Sequence, residues 1–129
     1  DASVRDIQLN HSLAAGKNFH KTGGFGPCIR TANSIDDYRN LELITRLNGE
    51  EMQRGSLTQL IFSVPSLISY ISRFTPLSGG DIILTGTPDG VGAVRKPPVW
   101  LKPGDTIEVE VPEIGVLSNP IIAEERLAS

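Results

Sequence analysis

The first eight residues bring together side chains that can bind a metal ion and an acidic ligand. If Ser3 caps a helical turn, Arg5 and Gln8 lie three positions apart and point to one side of it, with Asp1 just before the turn. A carboxylate such as Asp1 can hold a divalent cation, while a guanidinium and a carboxamide can bind an acidic ligand. The stretch alone leaves open a plainer alternative, a solvated turn in which Arg5 pairs with a neighbouring carboxylate.

A second candidate site follows three consecutive aliphatic residues, 82–84, which predict a short strand buried on both faces. The loop after this strand, residues 85–92, contains two threonines, a proline and three glycines, Gly86 and Thr87 among them. Exposed N–H groups and hydroxyls at the end of a buried strand suit an anion such as a carboxylate. The alternative is an ordinary exit from a strand into a loop. A phosphate-binding P-loop is excluded because no Gly-Lys-Ser/Thr sequence follows.

Lys17 is the third candidate, in an irregular, glycine-containing stretch. Partly desolvated beside Phe19, its ammonium group would be placed to polarise a carbonyl, although a solvated surface lysine is the commoner case. The two histidines, His11 and His20, have no partner at metal-ligand spacing and are weak candidates for a catalytic base. The one cysteine, Cys28, is interpreted as a small core residue.

Composition limits the class of protein. The length of 129 residues predicts a single domain that covers residues 1–129 and is long enough for a substantial core. One cysteine excludes an internal disulfide and fits a reducing, cytoplasmic setting. A net charge of −3 argues against a nucleic-acid partner, and the short apolar runs argue against a membrane span. Because the sequence opens without methionine, we expect residues to be missing upstream.

The elements expected to position these residues are mainly strands. The Asn48-Gly49 pair predicts a hairpin between a strand at 41–47 and its return at 50–54. Strict alternation at 106–111 predicts another strand, with Glu108 and Glu110 in water, followed by a turn and a returning strand at 116–119. Apolar residues at helical spacing predict one helix at 63–74, capped by Ser63, that covers the strand at 82–84.

Taken in order, these motifs resemble the fumarylacetoacetate hydrolase family, specifically its C-terminal catalytic part. The segments that carry the resemblance are 1–8, with Val4 where alanine is usual, 17–19, 26–27, 47–50 with Gln53, 61–65, 80–92, 101–105 and 114–119. Several independent motifs in the right order make the match specific. The resemblance implies a mixed β-roll that is mainly β with few helices, and it implies a homodimer.

The same resemblance implies roles for individual residues. Asp1 would be a ligand of a divalent metal, usually Mg²⁺, with Mn²⁺ or Ca²⁺ as substitutes. Arg5, Gln8 and Lys17 would contact substrate oxygens, and Lys17 together with Arg5 would be catalytic as negative charge develops on a carbonyl. Gly86 and Thr87 would hold a substrate carboxylate, which agrees with the anion-binding loop inferred from the residues.

Family members act on 2-oxo acids or β-diketo acids through a metal-stabilised enolate. The resemblance therefore implies a metal-dependent hydrolase or lyase acting on a small 2-oxo or acylpyruvate-type acid by C–C bond hydrolysis, decarboxylation, isomerisation or hydration. The alternative is a non-catalytic fragment or carboxylate-binding module, because the family takes two further metal carboxylates, and a His–Glu pair where present, from sequence upstream of this aspartate. The loop between Gln8 and Lys17 is also short and lacks the tryptophan often found there.

Overall fold

The computed structural model describes residues 1–124. Its α-helices are α1 (Arg5–Asn10) and α2 (Val64–Ile71), and its strands are β1 (Glu42–Leu47), β2 (Glu50–Ser56), β3 (Thr106–Val111) and β4 (Gly115–Pro120). Short 3-10 turns lie at Ala15–Lys17, Ala32–Ser34, Tyr38–Asn40, Leu57–Gln59 and Gly92–Val94. The strands form one open antiparallel sheet in the order β2-β1-β3-β4. The prediction of a mainly β fold with few helices is confirmed.

The predicted hairpin is present at the β1–β2 edge of the sheet. Asn48 and Gly49 both have positive φ, 52° and 84°, which is the geometry that the Asn-Gly pair favours in a two-residue turn. The Asn48 side chain also fastens the turn to β3, because its Oδ1 accepts from the backbone N–H of Thr106 at 2.8 Å and its Nδ2 donates to Asp105 at 2.9 Å. β2 continues two residues beyond the predicted end.

The strand predicted at 106–111 is confirmed, but its clean alternation between core and solvent is not. All six residues of β3 are half-buried. Glu110 pairs with the guanidinium of Arg46 on the neighbouring strand β1, and its side chain is only 25% exposed. An opposite charge on the adjacent strand stabilises a partly desolvated carboxylate, so Glu110 is an ion-pair partner and not a fully solvated side chain.

Helix α2 begins as predicted. The Ser63 hydroxyl accepts from the backbone N–H of Ser66. Proline is tolerated in the first turn because a backbone N–H at that position would have no acceptor within the helix. The regular helix ends at Ile71, three residues earlier than predicted, and the chain continues in a tighter turn in which Phe74 N–H donates to Ile71.

The predicted buried strand at 82–84 is wrong. The segment is irregular, Ile82 and Leu84 are 60% and 70% exposed, and within residues 1–124 its backbone pairs with no other strand. An open groove of about 490 Å³ lies between this segment and the end of α2, so the helix does not cover it. A run of aliphatic residues indicates that the segment favours burial, but it does not indicate which surface would cover it. The described residues do not provide such a surface.

The hydrophobic core within the described residues is also smaller than the chain length predicts. Leu41 and Ile44 of the β1 region are their buried apolar residues, whereas many large apolar side chains are exposed, among them Leu9, Ile29, Ile61 and Phe62. Cys28, predicted to be a core residue, is exposed, with its sulfur 3.6 Å from the carbonyl oxygen of Ile114. In residues 1–124 no helix has the length and apolar character that a bilayer span requires.

Candidate functional site

Helix α1 presents the first group of predicted site residues. The predicted cap at Ser3 is wrong, because the N-cap is Val4 and no side chain caps the helix. The backbone positions the helix instead: the Val4 N–H donates to the carbonyl of Gly16 at 2.8 Å, and the Ala2 N–H donates to Thr22 at 2.9 Å. These bonds tie the start of α1 to the segment that carries Lys17.

Arg5 and Gln8 lie on one side of α1, as their spacing predicts. The Nη1 of Arg5 donates to Oε1 of Gln8, and Gln8 is buried, with 8% exposure. The Nε of Arg5 is buried and has no hydrogen-bond partner among the described residues. A buried guanidinium N–H without an acceptor is costly, so the site favours a ligand oxygen at this position.

Lys17 and Asp1 form an ion pair, with 2.9 Å between the lysine Nζ and the aspartate Oδ2. The two side chains are 36% and 38% exposed, and Phe19, two residues further along the chain, is 41% exposed. The lysine is therefore placed by a carboxylate and not by an apolar pocket, and a pair this exposed contributes little to stability. Both groups remain accessible to a ligand.

The second group lies at the exposed loop that contains Gly86 and Thr87. Gly86 has a φ of 107°, in the region that glycine adopts without strain. Gln53 of β2 holds the loop, because its Nε2 donates to the hydroxyl of Thr87 at 2.9 Å and to the carbonyl of Pro88 at 2.8 Å. Gln53 belongs to a hairpin motif in the sequence, and nothing in that motif indicates that its side chain reaches the loop at Thr87.

The structure thus forms two groups from the six predicted site residues. Asp1, Arg5, Gln8 and Lys17 make the first, and Gly86 and Thr87 with Gln53 make the second. No hydrogen bond or ion pair within residues 1–124 joins the two groups. Their convergence on one ligand stays a prediction. His11 and His20 are exposed and belong to neither group.

A divalent metal fits the chemistry of Asp1 but not the number of ligands nearby. A carboxylate oxygen is the donor that Mg²⁺, Mn²⁺ and Ca²⁺ prefer, and such ions take about six oxygen ligands. The described part of the chain contains no cluster of three or more His, Cys, Asp or Glu side chains that could hold a metal. Asp1 therefore fits as one ligand of an incomplete set.

The carboxyl groups with a lowered pKa are not among the predicted site residues. The Arg39 side chain lowers the pKa of Asp37, and the Arg54 side chain lowers that of Glu51. The side-chain amide of Asn48, followed by the backbone N–H of Lys102, lowers the pKa of Asp105. These carboxyls stabilise turns and the sheet edge.

Comparison with known proteins agrees with the motifs. The family model described as "Fumarylacetoacetate (FAA) hydrolase C-terminal" matches residues 1–122. The chain is 43% identical over 125 residues to oxaloacetate tautomerase FAHD2A, mitochondrial, of Bos taurus; the match covers 95% of this chain and 40% of that protein.

Solved structures show the same relationship. A fumarylacetoacetate hydrolase from psychrophilic Exiguobacterium antarcticum matches with a TM-score of 0.90 and 39% identity, over 95% of this chain and 44% of that chain. Maleylpyruvate hydrolase from Sphingobium sp. SYK-6, in complex with manganese(II) ion and pyruvate, matches with a TM-score of 0.66 and 32% identity. The match covers 75% of this chain and 34% of that chain. This chain spans less than half the length of each of these relatives. With nearly all of its length matched by the family model, the chain belongs to the fumarylacetoacetate hydrolase family and corresponds to its C-terminal part.

Proposed function

We propose that the chain provides part of the active site of an enzyme acting on a small 2-oxo or acylpyruvate-type acid. The observation that carries the proposal is the buried Nε of Arg5, which lacks an acceptor beside the buried amide of Gln8 and so favours an anionic ligand. Two relatives support this ligand class, since one is named for oxaloacetate and the other is solved with pyruvate.

Each residue has a distinct role in this proposal. Arg5 and Gln8 bind oxygens of the acid, and the fork of the guanidinium suits a carboxylate. The ammonium group of Lys17 stabilises the negative charge that develops on the carbonyl oxygen when an enolate forms. Gly86 and Thr87 hold a carboxylate through a backbone N–H and a hydroxyl.

Asp1 is proposed as one ligand of a divalent metal, with Mg²⁺ as the usual ion and Mn²⁺ or Ca²⁺ as substitutes. A bound metal would act as a Lewis acid toward the oxo group. The manganese in the Sphingobium structure supports divalent-metal use in the family. In this chain Lys17 contacts one of the two carboxylate oxygens of Asp1, Oδ2, so a metal held by Asp1 would lie next to the lysine ammonium group.

A turnover screen with matched binding measurements tests the proposal. The chain is incubated with oxaloacetate and with acetylpyruvate, with and without Mg²⁺, and loss of substrate is followed by ultraviolet absorbance. Binding of pyruvate is measured separately by isotope-edited NMR of the Arg5 side chain. We expect the Arg5 Nε resonance to move on pyruvate addition. A chain that neither binds pyruvate nor turns over any substrate with Mg²⁺ present contradicts the proposal.

A second candidate function is a carboxylate-binding module without catalysis. The observation that favours it is that residues 1–124 contain no group of three or more His, Cys, Asp or Glu side chains that could hold a metal. The same screen separates the two functions. A module binds pyruvate with an affinity independent of Mg²⁺ and turns nothing over, whereas an enzyme requires the metal for turnover.

Assembly and setting are also proposals. We propose that the 129 residues form one domain of a longer polypeptide that pairs as a homodimer. The exposed apolar residues Ile61 and Phe62, 91% and 65% exposed, support burial against further protein surface. Light scattering after size-exclusion chromatography gives the oligomeric state. A cytoplasmic setting stays a prediction from cysteine usage, and the name of the Bos taurus relative places that protein in mitochondria.

A further inference from the structure

Gln53 makes two hydrogen bonds to the loop that carries Thr87. Its half-buried side chain leaves β2 and places Nε2 2.9 Å from the Thr87 hydroxyl oxygen and 2.8 Å from the Pro88 carbonyl oxygen. A carbonyl oxygen only accepts, so the amide nitrogen, and not the amide oxygen, must face Pro88. The two hydrogens of one NH₂ group are thereby assigned to two acceptors.

This assignment fixes the direction of the Thr87 hydroxyl. Because the hydroxyl oxygen accepts from Gln53, its own hydrogen points elsewhere. Within the described residues the hydroxyl has a contact of 3.5 Å with the Pro88 carbonyl oxygen, which is at the limit of a hydrogen bond. Thr87 is exposed, so its hydrogen is available to an oxygen from solvent or from a ligand.

The backbone around this bond leaves the loop little freedom. A Cβ built on Gly55 would lie 2.6 Å from Pro88 Cβ, and one built on Gly90 would lie 2.3 Å from the carbonyl oxygen of Met52. Arg95 closes the loop, because its Nε donates to the Gly90 carbonyl at 3.0 Å and its guanidinium also bonds to the Met52 carbonyl. The segment 87–90 is therefore packed directly against β2, and Gln53 is the side chain that reaches the hydroxyl.

We propose that Gln53 is a positioning residue that directs the Thr87 hydroxyl as a hydrogen-bond donor toward the carboxylate of the substrate. The inference rests on the proposed function, which gives Thr87 a carboxylate to bind. Gln53 itself acts only through Thr87 and touches no reacting atom.

Two substitutions of Gln53 separate this role from simple packing. Gln53→Ala removes both hydrogen bonds. Gln53→Glu keeps the shape, but at neutral pH its carboxylate cannot donate to Pro88 and draws the Thr87 hydrogen toward itself. Positioning predicts weaker pyruvate binding for Gln53→Ala, by roughly three- to tenfold, and weaker binding still for Gln53→Glu. If Gln53 only packs, the glutamate variant should bind pyruvate more tightly than the alanine variant, because glutamate fills the space that alanine leaves empty.

Gln59→Ala is the matched control. Gln59 is also a glutamine close to this end of β2, but its side-chain oxygen caps the Leu57–Gln59 turn by accepting from the Ser56 N–H. The control is expected to lower stability without changing pyruvate affinity. Unfolding by urea is measured for each variant so that affinities are compared among folded chains.

A double-mutant cycle with Thr87→Val completes the test. If Gln53 acts through Thr87, Gln53→Ala changes pyruvate affinity less than twofold once the hydroxyl is absent. Equal affinity of the parent and Gln53→Ala, or a glutamate variant that binds better than the alanine variant, overturns the inference alone. Failure of the parent chain to bind pyruvate counts against the proposed function. In that case the Thr87 methyl resonance of the ligand-free chain decides whether Gln53 positions this residue, since it must shift in Gln53→Ala and not in Gln59→Ala.

Discussion

Gly16 and Gln8 are in closer contact than any side chain at position 16 allows. A Cβ built on Gly16 would lie 2.5 Å from Cβ of Gln8 and 2.8 Å from its Cα. Glycine therefore allows the turn before Lys17 to lie directly against α1. The Gly16 carbonyl also accepts from the Val4 N–H, so this contact, together with the Ala2–Thr22 bond, positions Lys17 relative to Asp1 and Arg5.

Gly16→Ala is expected to separate α1 from the Lys17 turn. The clash involves helix backbone atoms, so we expect a loss of about 1 to 3 kcal/mol in the free energy of unfolding and weaker pyruvate binding. Gly23→Ala is the matched control, because a Cβ there meets nothing within 4 Å. Urea unfolding of both variants gives the comparison. Equal stability of the two would show that the contact does not constrain the site.

Lys17→Ala is expected to reduce turnover more than binding. If the ammonium stabilises developing charge on the carbonyl oxygen, kcat falls by about 100- to 1000-fold while KM changes little. Steady-state kinetics on the substrate found by the screen measure this. Lys96→Ala, at an exposed lysine far along the chain, serves as the control. Full turnover by Lys17→Ala would remove the lysine from the catalytic group.

Arg5→Lys tests whether a positive charge alone is sufficient. Lysine keeps the charge but cannot present Nε and both terminal nitrogens in one plane, so we expect pyruvate binding to weaken by roughly three- to tenfold. Titration calorimetry gives the dissociation constant. Arg30→Lys is a suitable control, since Arg30 bonds to Ser34 and to the Glu113 carbonyl. Unchanged affinity in Arg5→Lys would mean that the unpartnered Nε does not meet the ligand.

Thr87→Val removes a hydroxyl at nearly constant volume. We expect KM for the acid substrate to rise roughly three- to tenfold, because the carboxylate loses one donor, whereas Thr87→Ser keeps that donor and should stay close to the parent. Kinetics on the two variants, with the methyl ester of the substrate for comparison, measure the effect. A valine variant as effective as the serine variant would exclude the hydroxyl from carboxylate binding.

Asp105 is expected to make the free energy of unfolding depend on pH in the acidic range. Hydrogen bonds from Asn48, and then from the Lys102 backbone, lower the pKa of its carboxyl below the usual value of 3.8. A carboxyl whose pKa is lower in the folded state stabilises the fold above the unfolded value, and this contribution disappears as the pH falls through the folded value. Asp105→Asn should therefore be less stable than the parent at about pH 7, and the difference should shrink at pH values below 3.8.

Urea unfolding of the parent and Asp105→Asn across this pH range checks the sign. Asp36→Asn is the control, because Asp36 is exposed and has no hydrogen bond or ion pair in the described region. A difference between the parent and Asp105→Asn that stays constant with pH would show that the carboxyl acts by packing and not by its charge.

Local patterns in the sequence were sufficient where the physics is local. The Asn-Gly turn fixes the hairpin because both residues accept positive φ, and Ser63 with helical spacing fixes α2. The three-residue spacing of Arg5 and Gln8 placed them on one side of a helix whatever its cap. The order of the motifs identified the family, since several independent motifs in one order are specific where a single motif is not.

Only the tertiary structure decided what depends on distant neighbours. The pairing of Asp1 with Lys17, the hydrogen bond from Gln53 to Thr87 and the exposure of Ile82 and Leu84 each depend on surfaces remote in sequence. An aliphatic run has the same sequence pattern whether or not another strand covers it. In the same way, a glutamine in a strand gives no indication of which loop its side chain contacts. The sequence determined the local conformations and the chemical groups; the packing of separate segments determined which groups meet.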